Sequence, residues 1–287
     1  MASPEIKPFF DEATNTITYV VADPETGQCA VIDPVLDYDL AAGRTSTGSV
    51  DAVIEFIEAN KLSLDIALET HVHADHLSAA PVLKRRLQAK TAIGDRVTDI
   101  QNVFTGIFNL DDVATDGSQF DVLLADGDAF GIGNLEAKVM HTPGHTPACV
   151  TYVIGDAAFV GDTLFMPDFG TARCDFPGGD VEALYDSIQK IFSLPNETRL
   201  FMCHDYKAPG RDEYAWETSV DEQRQKNIHV HDGITKQEFV AFRTERDSQL
   251  GVPKLIIPSI QVNIRAGDMP EPEGNGVSFL KVPVDVL

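Results

Sequence analysis

The stretch LETHVHADHLSAA, residues 68–80, places His71, His73, Asp75 and His76 within six positions. Imidazole and carboxylate groups are the usual donors of zinc, iron and manganese sites, so this turn is a candidate metal loop. His71 and His73 stand two apart, which points both side chains the same way while the chain stays extended. Asp75 and His76 follow where the chain must turn, so one loop can address two adjacent metal positions. A polar loop whose histidines only cap the next helix is the alternative, and capping does not call for four such groups in six. Three later segments add donors. HTPGHTPACV (141–150) carries His145 in a loop fixed by proline and glycine, FVGDTLF (159–165) ends a strand with Asp162 exposed at its tip, and FMCHDY (201–206) does the same with His204. Drawing donors from several strand ends is how a rigid scaffold builds an active site. His141, His229 and His231 read as ordinary loop or surface histidines.

The elements that must position these groups follow from the apolar periods. TITYVVAD (16–23) and QCAVIDP (28–34) are β-rich runs around the turn-like PETG and predict an opening hairpin. Val50, Val53, Ile54 and Ile57 share a helical face, with Ser49 as the expected N-cap. A strand over 64–70 delivers the metal loop, and residues 77–89 are helical by period with Pro81 in the first turn. Further helices are expected near 97–108 and 180–193, and strands near 120–124, 134–140, 148–154, 157–162 and 199–203. Strands dominate each half with helices between them, which predicts an α/β sandwich of two sheets face to face with helices outside. From about 251 the chain is Pro-rich and reads as an extended strap across the body.

Composition bounds the function. A chain of 287 residues can bury a large core. No apolar run approaches the length of a membrane span, and MASPEIKPFFDEATN lacks the basic flank and apolar centre of a signal peptide, so a soluble cytoplasmic protein is expected. The net charge of −23 opposes nucleic acid and anionic lipid, and no Lys/Arg run offsets it. Cys29, Cys149, Cys174 and Cys203 lack C-x-x-C spacing and read as reduced thiols acting as small hydrophobes.

In order, His71-x-His73-x-Asp75-His76, His145 in TPGHT, Asp162 in GDT and His204 in CHD resemble the motif set of the metallo-β-lactamase fold superfamily over about residues 10–210. The resemblance implies an αββα sandwich of two mixed sheets with outer helices. The whole chain is expected to form a single domain, with residues from about 211 to 287 as a C-terminal extension packing on it. In dinuclear hydrolases of this superfamily the equivalents of His71, His73 and His145 hold one metal, those of Asp75, His76 and His204 hold the other, and that of Asp162 bridges. Fold alone does not choose the reaction.

The C-terminal region narrows the choice. A charged helix leading to KN, an EF helix, and VPKLIIPSIQVNIRAG, taken as a Pro-flanked strand ending in Asn263-x-x-x-Gly267, resemble the persulfide dioxygenases. They do not resemble the longer helical domain of hydroxyacylglutathione hydrolases. GTARCDFPGGD (170–180) resembles the dioxygenase loop with its Arg-x-Asp-Phe element, here Arg173, Asp175 and Phe176. It departs by Cys174 where threonine is usual, and the segment between Asp162 and Arg173 is about two residues longer.

That resemblance implies one Fe(II) per chain held by His71, His145 and Asp162, with His73, Asp75, His76 and His204 orienting ligands and bound water. It further implies oxidation of glutathione persulfide, or a related small persulfide, by O2 to sulfite and thiol. Arg173 is the expected grip on a substrate carboxylate, unless it pairs with Asp175 or Asp180, and Tyr206 is a hydroxyl donor at the mouth. A homodimer stays open as the assembly. The rivals are a dinuclear glyoxalase-II-like thioester hydrolase with two zinc or mixed zinc and iron ions, and a non-enzymatic persulfide or thiol sensor.

Overall fold

The computed structural model describes residues 3–286; positions 1, 2 and 287, the ends of the expected single domain, lie outside it. Strands β1 (Glu5–Asp11), β2 (Thr16–Ala22) and β3 (Gln28–Ile32) form an antiparallel meander that includes the expected hairpin. Next come β4 (Val35–Asp39), β5 (Arg44–Ser46), α1 (Gly48–Ala59), β6 (Ser63–Leu68), β7 (Leu77–Ser78), α2 (Ala80–Leu87), β8 (Lys90–Gly94), α3 (Val97–Phe108) and β9 (Val122–Leu124). The second half holds β10 (Ala129–Ile132), β11 (Leu135–His141), β12 (Val150–Ile154), β13 (Ala157–Phe159), α4 (Val181–Phe192), β14 (Arg199–Phe201) and β15 (Glu217–Ser219). Three helices, α5 (Val220–Lys226), α6 (Lys236–Asp247) and α7 (Ile256–Asn263), close the chain.

Two six-stranded sheets result, in the orders β1-β2-β3-β6-β8-β9 and β10-β11-β12-β13-β14-β15, and a small sheet β5-β4-β7 sits beside the first. Both large sheets are mixed: β3, β6, β8 and β9 run parallel in one, and β13 and β14 in the other. The αββα sandwich of two mixed sheets is therefore what the chain forms. β2 shows why its sequence is apolar throughout. Ile17, Tyr19 and Val21 face the second sheet, where Tyr152, Phe159 and Phe201 meet them, while Val20 and Ala22 face α1 and α2. A strand covered on both faces has no reason to alternate. On the far side, α4 and α6 cover the second sheet through Leu184, Ile188, Ile191 and Phe239. Among the described residues no helix is long and apolar enough to cross a membrane.

Three local expectations are corrected. The helix read from residue 77 begins at Ala80, because Leu77 and Ser78 pair with Val35 and Leu36 as β7. Ser49 does not cap α1; the helix starts at Gly48, and the Ser49 hydroxyl donates to Asp37 instead. The segment read as an extended strap, and Asn263 as the end of a strand, is helical over Ile256–Asn263. Pro258 falls in the first turn, where its missing N–H leaves no helical acceptor unpaired. The four cysteines are buried free thiols. Burial pushes Cys29 and Cys149 up to about 12, in keeping with inert small hydrophobes.

Candidate metal centre

The loop after β6 is fixed from beneath by a residue the sequence reading passed over. Asp33, just past β3, takes a left-handed backbone (φ 49°) and turns its carboxylate under the loop. There it accepts the Thr70 N–H (2.7 Å), the Thr70 hydroxyl (2.9 Å) and His73 Nε2 (2.9 Å). Burial works against its ionisation, but the His73 imidazole overcomes this and holds its pKa below the usual carboxylate range. Likewise burial disfavours a charged His73, yet Asp33 at Nε2 and Glu69 at 3.4 Å raise its pKa well above the ordinary histidine value. Burial raises Glu69 itself; its other oxygen takes the Ser78 hydroxyl. The available signal for Asp33 was its place in VIDP, one more carboxylate at a strand end.

Each remaining imidazole is tethered by one nitrogen and free at the other. His71 Nδ1 lies 3.1 Å from the Thr70 hydroxyl, and His76 Nδ1 lies 3.3 Å from that of Thr16. His145 Nδ1 donates to the Arg173 carbonyl (2.8 Å), and His204 Nδ1 donates to that of Asn15 (3.2 Å). A carbonyl can only accept, so these bonds set the tautomer and turn the Nε2 lone pair inward. Burial, then the neighbouring imidazoles, pushes His71 well below its usual pKa, which keeps it neutral and able to ligate.

The inward atoms converge. His71, His145 and Asp162 present donors within 4.8 Å of one another, and His73, Asp75, His76 and His204 form a second group on the same criterion. Asp162 links them, with its oxygens 3.7 Å from His145 Nε2 and 3.4 Å from His204 Nε2. Asp162 is buried, 8% exposed, not exposed at a tip as expected, because the His145 and His204 imidazoles lie against its carboxylate. Among the described residues His71 Nε2, His73 Nδ1, His76 Nε2, His204 Nε2, Asp75 Oδ2 and Asp162 Oδ1 are buried without a hydrogen-bond partner. Buried polar atoms are normally paired, and six orphans aimed at one space fit bound metal. His141, His229 and His231 belong to neither group.

The expected substrate contacts sit at the rim. Arg173 meets Asp175 through Nε and Nη2 (2.6 Å each) and the Gly251 carbonyl through Nη1 (2.6 Å), the pairing weighed as its alternative. Phe176 fills the gap, 5.1 Å edge-on to His145 and 4.9 Å beneath the guanidinium. Tyr206, 42% exposed, stacks near-parallel on His204 at 5.8 Å and packs against Phe165 and Phe169. Arg211, also unread in the sequence, binds Asp205 and Asp168 bidentately and braces this aromatic rim.

Residues 13–204 match the profile of the Metallo-beta-lactamase superfamily. The chain belongs to that superfamily. It is 54% identical to a Burkholderia pseudomallei protein named as a metallo-hydrolase, over 98% of this chain and 99% of that one. It is 49% identical to Glyoxylase B2 of Dictyostelium discoideum, over 99% and 97%. The mitochondrial persulfide dioxygenase ETHE1 of Homo sapiens is 29% identical over 91% of this chain and 88% of its own. Among solved structures of the superfamily, ETHE1 from Myxococcus xanthus superposes with a TM-score of 0.74 at 30% identity, covering 92% of this chain and all of the other. The chain spans 66% of the length of beta-lactamase hydrolase-like proteins from Agrobacterium fabrum and Xylella fastidiosa.

Proposed function

We propose that the protein is an iron-dependent persulfide dioxygenase of the cytoplasm, acting on glutathione persulfide or a similar small persulfide. One observation carries the reading. His71, His145 and Asp162 bring two imidazoles and one carboxylate within 4.8 Å of one another, while His73, whose Nε2 is tied to Asp33, groups its donor with Asp75, His76 and His204. Two histidines and one carboxylate on one face are the donor set of non-haem Fe(II) oxygenases, leaving three positions open. Iron held there would supply the redox chemistry of RSSH + O2 + H2O → RSH + H2SO3.

The chain's own groups then have definite tasks. The Arg173 carbonyl holds His145 in the ligating tautomer. Asp75 Oδ2, 3.3 Å from His204 Nε2, stays ionised and can accept a hydrogen bond from water or thiol; burial opposes its charge, but His204 and His76 keep its pKa far below the usual range. The Tyr206 hydroxyl, on a ring stacked against His204, is a donor at the mouth. Phe165, Phe169 and Tyr206 restrict water there. Arg173 is proposed to share its fork between Asp175 and a substrate carboxylate.

A dinuclear thioester hydrolase is the second reading. The four donors of the second group favour it, as do the names of the Burkholderia and Dictyostelium relatives. Titration of metal-free protein with Fe(II) under argon separates the two. Saturation at one equivalent per chain supports the dioxygenase, and two equivalents of similar affinity support the hydrolase.

A further inference from the structure

The superfamily match ends at residue 204, yet the metal loop is also held from beyond it. Asn263, the last residue of α7 and 4% exposed, reaches the loop with its whole amide. Its Nδ2 donates to the carbonyls of His73 (2.9 Å) and His76 (2.8 Å), and its Oδ1 accepts the Ser78 N–H (2.8 Å). Those bonds pin both ends of the turn that carries His73, Asp75 and His76, three of the four donors in the second group.

The support of this amide is itself rigid. Gln101 of α3 donates to the Ile264 carbonyl at 3.0 Å, and Ile256 and Ile260 of α7 pack with Val72 and Ala74, the side chains between the loop's donors. Gly267, at φ +90°, lets the following turn lie on α2; a Cβ there would come within 2.6 Å of Pro81 Cδ and 2.8 Å of the Ser78 carbonyl. Only an uncharged amide suits the position. A carboxylate would face two carbonyl oxygens, and alanine would leave two buried carbonyls and one N–H unpaired.

We infer that Asn263 is a positioning residue for the metal loop: it fixes the His73–His76 turn and thereby sets the geometry of the second donor group. Asp33 fixes the first half of the loop from β3, and α7 fixes the second half from the C-terminal extension. This task is the same whichever reaction the centre runs.

The test uses the full metal-free chain titrated with Co²⁺, whose visible spectrum reports donor geometry directly. Asn263→Ala and Asn263→Asp should weaken Co²⁺ binding at least about tenfold, in the range lost with partners that orient ligands, and should change the spectrum. Gln261→Ala is the control. That side chain bonds Ile257 and Lys281, tying the tail to the same helix without touching the loop, so its spectrum and affinity should match wild type. A wild-type spectrum and affinity in Asn263→Ala overturn the inference, and so does an equal effect in Gln261→Ala. If neither Asn263 variant folds, amide exchange on the wild-type chain decides. The Ser78 N–H should gain protection when Zn²⁺ is added, and an unchanged exchange rate overturns the inference.

Discussion

At the residue scale, the centre is organised by which nitrogen of each histidine is occupied. His145 is held by a backbone carbonyl, so its ligating nitrogen is set by the fold of the 170–180 loop and not by any one side chain. Replacement of His71, His145 or Asp162 by alanine is expected to abolish iron retention. His204→Ala is expected to keep much of the iron and lose about 10–100-fold in activity, as orienting partners typically do. Metal analysis of the four variants checks this, and equal metal loss in all of them favours a dinuclear site. Arg173→Ala removes a guanidinium but keeps the carbonyl that serves His145, so iron content should stay near wild type. If the fork is shared with substrate, KM for glutathione persulfide should rise roughly tenfold, since a charged hydrogen bond contributes about 1.5–3 kcal/mol. A small persulfide without a carboxylate should be turned over almost unchanged. An unchanged KM for both would mean that the pair with Asp175 is the whole role of the side chain. The donors themselves were legible because crowded histidines at strand ends have few other uses. Asp33 was not, because a single aspartate before proline looks like any turn residue until the fold brings it under His73.

At the element scale, the sheet cores and the span of α3 were legible, and several other element ends were not. Ser78 begins a helix by period, but tertiary partners take it first: Leu77 and Ser78 pair with β4, and Asn263 claims the Ser78 N–H. α7 was hidden for a different reason. Prolines at 253 and 258 suggest extended chain, and only the packing of Ile256 and Ile260 reveals a helix. The backbone at Thr171 is tied to the segment after α5 through His229, whose Nδ1 accepts the Thr171 N–H at 3.0 Å. Burial, then Arg243 and Arg246, pushes this imidazole down to about 4. Below the ordinary histidine pKa of about 6.5 the unfolded chain binds a proton that the folded chain refuses. Stability should therefore be full above that value and fall as the pH drops towards 4, by at most about 3 kcal/mol before solvent screening. Urea unfolding of wild type and His229→Gln across pH 4–7 checks it. The variant should show a shallower decline, and identical slopes would contradict the account.

At the scale of the whole molecule, two mixed sheets close on a shared core and present their strand ends at one edge, where the metal loop, His145, Asp162 and His204 meet. The net charge of −23 surrounds a centre whose nearby arginines, Arg173 and Arg211, are each paired with carboxylates. Such a surface should not retain duplex DNA at physiological salt, and measurable binding there would contradict the charge argument. The fold was legible because its motifs recur in fixed order along the chain. The reaction was less so, because the same seven donors serve one metal or two. Oxygen uptake by freshly purified, iron-loaded protein given glutathione persulfide tests the central claim most directly. The account predicts one iron per chain, with one O2 consumed and one sulfite formed for each persulfide. Two zinc ions per chain, thioester hydrolysis and no oxygen uptake would contradict it.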